Sequence, residues 1–204
     1  MFVVLESLDG GGKGAQRGLV AAKLRQKGFL VDEQEFPNHQ SCLYREIIHP
    51  ALHNQLSVSP RDLFTAFALD QSLCSTRISE ASKNGFFLAD GYFTTNLAYQ
   101  VLVNKIVSLD EALKLSSFLG LLIPDQAIYL DVSPETALAR KAKESGHEEG
   151  PDVYERDLTF QSKLRGVYKK LCREQLFCAW KEISGEGSLE EVTSRLLTVT
   201  MGMC

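Results

Sequence analysis

The chain lacks an excess of positive charge. Its 204 residues carry 22 Lys plus Arg against 26 Asp plus Glu, a formal net charge of −4. Nucleic-acid polymers and anionic membranes select basic surfaces, so neither is expected as a main partner. Paired cysteines are lacking as well. The five present (Cys42, Cys74, Cys172, Cys178 and Cys204) are odd in number and scattered, with no CxxC spacing. That excludes a disulfide scaffold and fits a reduced, cytoplasmic protein. Long apolar runs are missing too: residues 118–123 end at Pro124-Asp125 and fall far short of a bilayer span. Residues 1–6 carry no basic start of a signal peptide. What is there is 44% hydrophobic content over a length typical of one domain. A single domain over 1–204 with its own core is expected.

Short apolar runs at 2–5, 29–31, 86–89, 127–130 and 180–183 read as strands. Between them, 15–27, 61–83, 96–105, 109–119, 133–143, 153–176 and 189–198 read as helices, with Ser59-Pro60 and Ser133-Pro134 as start signals. Residues 145–152 are polar, hold two glycines and a proline, and read as a mobile loop. Strands alternating with helices imply an α/β fold with a parallel sheet of about five strands flanked by helices. Ligands in such folds sit beyond the carboxyl ends of the strands.

One segment occupies that position directly. Ser7-Leu8-Asp9-Gly10-Gly11-Gly12-Lys13-Gly14-Ala15 joins the first strand to the first helix. Phosphate binding needs glycines so that backbone N–H groups converge on an anion, a helix N-terminus aimed at it, and a lysine to reach the terminal phosphates. All three are present. The full pattern G-x-x-x-x-G-K-[ST] fails at both ends, because Ser7 stands at the first glycine and Gly14 at the Mg²⁺-binding hydroxyl. A ligand-free glycine turn is the competing reading. Asp90, ending the 86–89 strand, is a second candidate at the same rim of the sheet.

With these pieces in view, most of the chain resembles the thymidylate kinase family, whose fold is the P-loop NTPase fold with a short lid. The likeness runs through Phe2 to Gly10, Phe36-Pro37, Phe64 to Gln71, Asp90-Gly91-Tyr92 with Asn96 to Gln100, Pro124 to Glu135, and Asp152 to Glu155. It implies transfer of the γ-phosphoryl of ATP to dTMP, with Mg²⁺, in a homodimer packed through helices beside the sheet. Residue by residue it implies that Lys13 and the amides of Gly10, Gly11, Gly12, Gly14 and Ala15 hold ATP phosphates, with Arg140 meeting the donor nucleotide. Asp9 lies near the acceptor sugar and the metal, and Asp90 orients Mg²⁺ through water. Phe36, Phe67, Gln71, Asn96, Tyr99 and Tyr154 line the acceptor pocket. The lid, about 141–152, brings Lys141 and Lys143.

The departures from the family cluster on positive charge. Gln71 stands where the base-reading helix has arginine, and Gly91 where the Asp-Arg-Tyr signature has one. An arginine aimed at transferring phosphates is worth roughly 10³–10⁵ in rate. Two alternatives therefore stay open: a nucleotide-binding protein with weak or lost catalysis, and a kinase for another pyrimidine monophosphate.

Overall fold

The computed structural model describes residues 1–143 and 158–203. Among these, five parallel strands form one sheet: β1 (Phe2–Ser7), β2 (Val31–Glu35), β3 (Phe86–Asp90), β4 (Gln126–Asp131) and β5 (Trp180–Ser184), in the order β2-β3-β1-β4-β5. The chain leaves β1 between β3 and β4, so the crevice where the winding reverses opens at the end of β1. Register brings Leu5 level with Asp90, Asp90 with Glu35, and Ser7 with Leu130. The candidate loop and Asp90 thus share one rim.

Alternation along β1 explains the two cores. Phe2 and Val4 join Phe87, Ala89 and Tyr129 on one face; Val3 and Leu5 join Phe86, Leu88, Ile128 and Leu130 on the other. The second face is covered by α1 (Lys13–Gln26), through Val20 and Leu24, and by α9 (Leu189–Met201), through Val192 and Leu196. The first is covered by α3 (Pro60–Ser72), α4 (Ser75–Asn84), α5 (Phe93–Asn96) and its π-helical continuation Leu97–Val103, and α6 (Leu109–Phe118). α8 (Leu158–Glu174) completes that layer, while α7 (Pro134–Lys141) follows β4 toward the rim. A π-helical turn, Tyr44–Ile48, and the short α2 (His49–Leu52) lie between β2 and α3. No helix among the described residues is long and apolar enough to cross a membrane.

Three elements differ from expectation. The second strand is the polar Val31-Asp32-Glu33-Gln34-Glu35 rather than 29–31. Among the described residues it is an edge strand pairing only with β3, so it needs no two-sided apolar pattern, and Arg25 and Arg77 bind its carboxylates. The long 61–83 helix is broken at Leu73-Cys74, where Ser72 and Ser75 hydroxyls donate to the Leu119 and Gly120 carbonyls. The 96–105 helix starts at Phe93 and widens into π geometry.

Candidate active site

The loop from Ser7 to Gly12 depends on its glycines at particular atoms. Gly10 (φ 78°) and Gly12 (φ 92°) adopt left-handed backbone, which side chains disfavour. A Cβ on Gly10 would also fall 2.2 Å from the Ala137 carbonyl oxygen of α7. The serine at position 7 is accommodated because its Oγ donates to the Leu130 carbonyl at 2.7 Å. That hydroxyl occupies the space beside Gly11. Arg140 lies over the same loop, donating from Nη1 to Gly11 O (3.2 Å) and from Nη2 to Gly185 O (3.1 Å).

Lys13 opens α1 and bends back, its Nζ donating to Ser7 O at 3.2 Å and lying 3.9 Å from Asp9 Oδ1. Burial alone would lower its pKa, but the carboxylates of Asp9, Asp90, Glu6 and Glu35 outweigh that and raise it. The ammonium is therefore held charged. Burial pushes the Asp90 carboxyl upward against the pull of Lys13 and Arg17, with Glu35 and Asp9 adding to the rise. Gly14 sits under Asp90: a Cβ there would be 3.3 Å from Asp90 Oδ2. Ala15 is exposed on the first turn of α1.

The other wall is built from α3 and α5. Tyr99 Oη donates to Asp9 Oδ2 at 2.8 Å, tying the π segment to the loop. Asn96 Nδ2 meets Gln71 Oε1 at 3.4 Å, with both residues buried. Phe67, half-buried, lies one helical turn before Gln71 on α3. Phe36 is placed differently: its ring is buried against Tyr92 at 5.5 Å, and its N–H pairs with the Asp90 carbonyl. Asp70 accepts from the Asn38 N–H (2.7 Å) and Ser41 Oγ (2.5 Å), fixing the segment after Phe36-Pro37 to α3. Lys141 and Asp9 line one small cleft, and Lys143 is exposed at the edge of the described chain. Tyr154 and the lid residues 144–152 lie outside the described residues.

Two groups were not legible as site residues. Arg17 stands one turn after Lys13 on α1, and its guanidinium reaches Asp90, 3.8 Å from Oδ2. The i, i+4 spacing to Lys13 was the available signal. Glu6, fully buried on β1, accepts from Thr94 and Thr95 of α5 and from Tyr168 of α8 at 2.6–3.0 Å. Burial raises its pKa against the opposing effects of Lys13 and those hydroxyls.

A parallel sheet with a glycine loop at its reversal point, a lysine on the following helix and a carboxylate on the neighbouring strand defines a P-loop phosphate-binding α/β protein. The chain belongs to the thymidylate kinase family, whose model, described as thymidylate kinase, matches residues 5–196. It is 28% identical over 201 residues to a thymidylate kinase of Arabidopsis thaliana, covering 98% of this chain and 70% of that protein. It is 31% identical over 176 residues to that of Buchnera aphidicola, covering 82% and 79%. With the thymidylate kinase of Thermosipho africanus it shares 28% over 205 residues, covering 98% and 96%.

Proposed function

We propose that this chain transfers the γ-phosphoryl of ATP to dTMP, giving dTDP and ADP. The observation that carries the reading is family membership across residues 5–196 joined to a rim where Lys13, Asp9 and Asp90 converge. Phosphoryl transfer is catalysed almost wholly by positioning and by neutralising phosphate charge. Lys13 and the amides of Gly10–Gly14 hold the donor phosphates, and Arg140 faces the donor side. Asp9 and Tyr99 meet the acceptor sugar, Phe67 stacks on its base, and the paired amides of Gln71 and Asn96 read the base edge. Lys141 and Lys143 add charge from the lid, taken as 141–152 of a single 1–204 domain, and Tyr154 counts among the acceptor-binding residues.

Magnesium fits this set. Among the described residues no cluster of three or more carboxylate, histidine or cysteine ligands forms a cage. Mg²⁺ needs none, since it keeps several waters and uses one or two carboxylates plus substrate phosphates. Asp90, close to the hydroxyl-less Gly14, would hold the ion through water. The ion supplies charge neutralisation on the phosphates. A homodimer without nucleic-acid partners, working in the cytoplasm, completes the reading.

The test is coupled ADP release with ATP, Mg²⁺ and a panel of dTMP, dUMP, dCMP and UMP. Turnover of roughly 1 s⁻¹ or more with dTMP as the preferred acceptor is expected, abolished in Lys13→Ala. Background rates, or preference for another acceptor, would sink it.

A further inference from the structure

Arg17 has a guanidinium that attracts the carboxylates around it without hydrogen-bonding them. Its side chain is 19% exposed, with Nε 3.5 Å from Glu33 Oε2 and Nη1 3.8 Å from Asp90 Oδ2 and 4.0 Å from Glu35 Oε2. These separations give Coulomb attraction, but none is a hydrogen bond: Nε and Nη1 are buried and donate to nothing among the described residues. Buried donors left without acceptors are unfavourable and scarce in native proteins, so each one asks for an explanation. A planar fork of N–H groups is the arrangement that grips phosphate oxygens bidentately.

Its position decides which phosphate. The donor side of the loop is covered by Arg140 and α7, which lie toward β4 and β5. Arg17 lies on the opposite side, among carboxylates of β2 and β3. That side continues into the Phe36-Pro37 segment, which Asp70 ties to the α3 helix carrying Phe67 and Gln71. Lys13 and Arg17, one turn apart on α1, both feel Asp90. They therefore bracket the place where donor and acceptor phosphates must meet.

We propose that Arg17 contacts the phosphate of the acceptor nucleotide, so that the protein distinguishes a nucleoside monophosphate from the free nucleoside through this residue. The proposal rests on the kinase reading above. It also gives a spatial source for the charge that position 91 lacks, since Gly91 carries no side chain and Arg17 approaches the same strand end from α1. A purely structural Arg17 would only neutralise Glu33, Glu35 and Asp90, and would not care whether the ligand bears a phosphate.

Calorimetry with thymidine, dTMP and a non-hydrolysable ATP analogue separates the two roles in wild type, Arg17→Gln and Arg17→Lys. Wild type should bind dTMP at least about tenfold tighter than thymidine, the scale of charge-assisted phosphate bonds. Arg17→Gln should bring dTMP and thymidine within about twofold of each other by weakening dTMP alone, with the ATP analogue unchanged. Arg17→Lys should recover part of the difference. An unchanged dTMP-to-thymidine ratio in Arg17→Gln overturns the proposal, as does an equal loss for both, or a loss confined to the ATP analogue. Wild type that binds neither thymidine nor dTMP overturns the kinase reading itself, and this inference with it.

Discussion

The Oγ of Ser7 lies where a side chain on Gly11 would begin, since a Cβ built on Gly11 falls 2.0 Å from it. The two positions share one volume. A serine at 7 adds to the need for glycine at 11, where a Cβ would also fall 2.8 Å from the Leu8 carbonyl oxygen, and the serine is held by the 2.7 Å bond to the Leu130 carbonyl. The departure at position 7 is thereby a compensated exchange rather than damage to the loop. Gly11→Ala should destabilise by about 1–3 kcal/mol, the usual range for overpacking, and weaken ATP binding. Ser7→Gly should cost about 1 kcal/mol for the lost hydrogen bond. The double variant Ser7→Gly/Gly11→Ala should be more stable than Gly11→Ala alone, a coupling that thermal melts read directly. A double variant no better than the sum of its parts would refute the shared-volume account.

At the scale of elements, the turn between β3 and α5 shows what the arginine expected from the family signature would meet at position 91. Gly91 has φ +68°, and a Cβ there would lie 2.9 Å from Thr95 Oγ1 and 3.4 Å from the Phe36 carbonyl. Thr95 is one of three hydroxyl residues holding Glu6, so pressure at 91 reaches a buried carboxylate that joins β1, α5 and α8. Restoring the signature by Gly91→Arg should therefore lower stability by at least about 1–2 kcal/mol, the cost of left-handed backbone for a residue with a side chain. Gly91→Ala should show a similar drop in melting temperature, because backbone and Cβ cause it, not charge. Stable Gly91→Arg protein would contradict this. The same turn shows what sequence pattern can carry. Apolar runs located β1, β3, β4 and β5, and Ser59 and Ser133 marked two helix starts whose side chains do accept from Asp62 and Thr136 N–H groups. β2 escaped because an edge strand of Asp and Glu has no apolar signature, its charges being answered by arginines from α1 and α4. The break at Leu73-Cys74 escaped because its hydrogen bonds go to the end of α6, some 45 residues away. Arg17 and Glu6 escaped for a related reason: each gains its meaning from partners on other elements, while Asp9 and Lys13 lie in the strand-to-helix connection, and Asp90 at the strand end, that the alternation itself predicts.

For the whole molecule, the net charge of −4 is distributed unevenly. Carboxylates crowd the β2 edge and are matched by Arg17, Arg25 and Arg77, which discourages sheet extension from that side. Elsewhere, large apolar side chains are exposed. Leu73 is 65% exposed, Phe118 86% and Ile123 65%. The Ser72 and Ser75 bonds to the end of α6 hold α3 and the 118–123 segment side by side, so these side chains belong to neighbouring surfaces on one flank. Large apolar groups exposed together mark interaction sites, and a two-fold pairing of identical chains would bring the same flank of each together. The proposed homodimer should bury these residues. Light scattering should then give twice the chain mass for wild type. Leu73→Glu combined with Phe118→Glu should give the monomer mass with an unchanged far-UV spectrum, since both side chains face solvent in the single chain and contribute little to its core. A wild-type monomer, or a charged variant that still pairs, would place the interface elsewhere. The proposed ATP-binding residues, Lys13 and the Gly10–Gly14 loop, lie at the junction of β1 and α1, away from Leu73 and Phe118, so the monomeric variant should still bind ATP, and that retained binding separates lost assembly from lost fold.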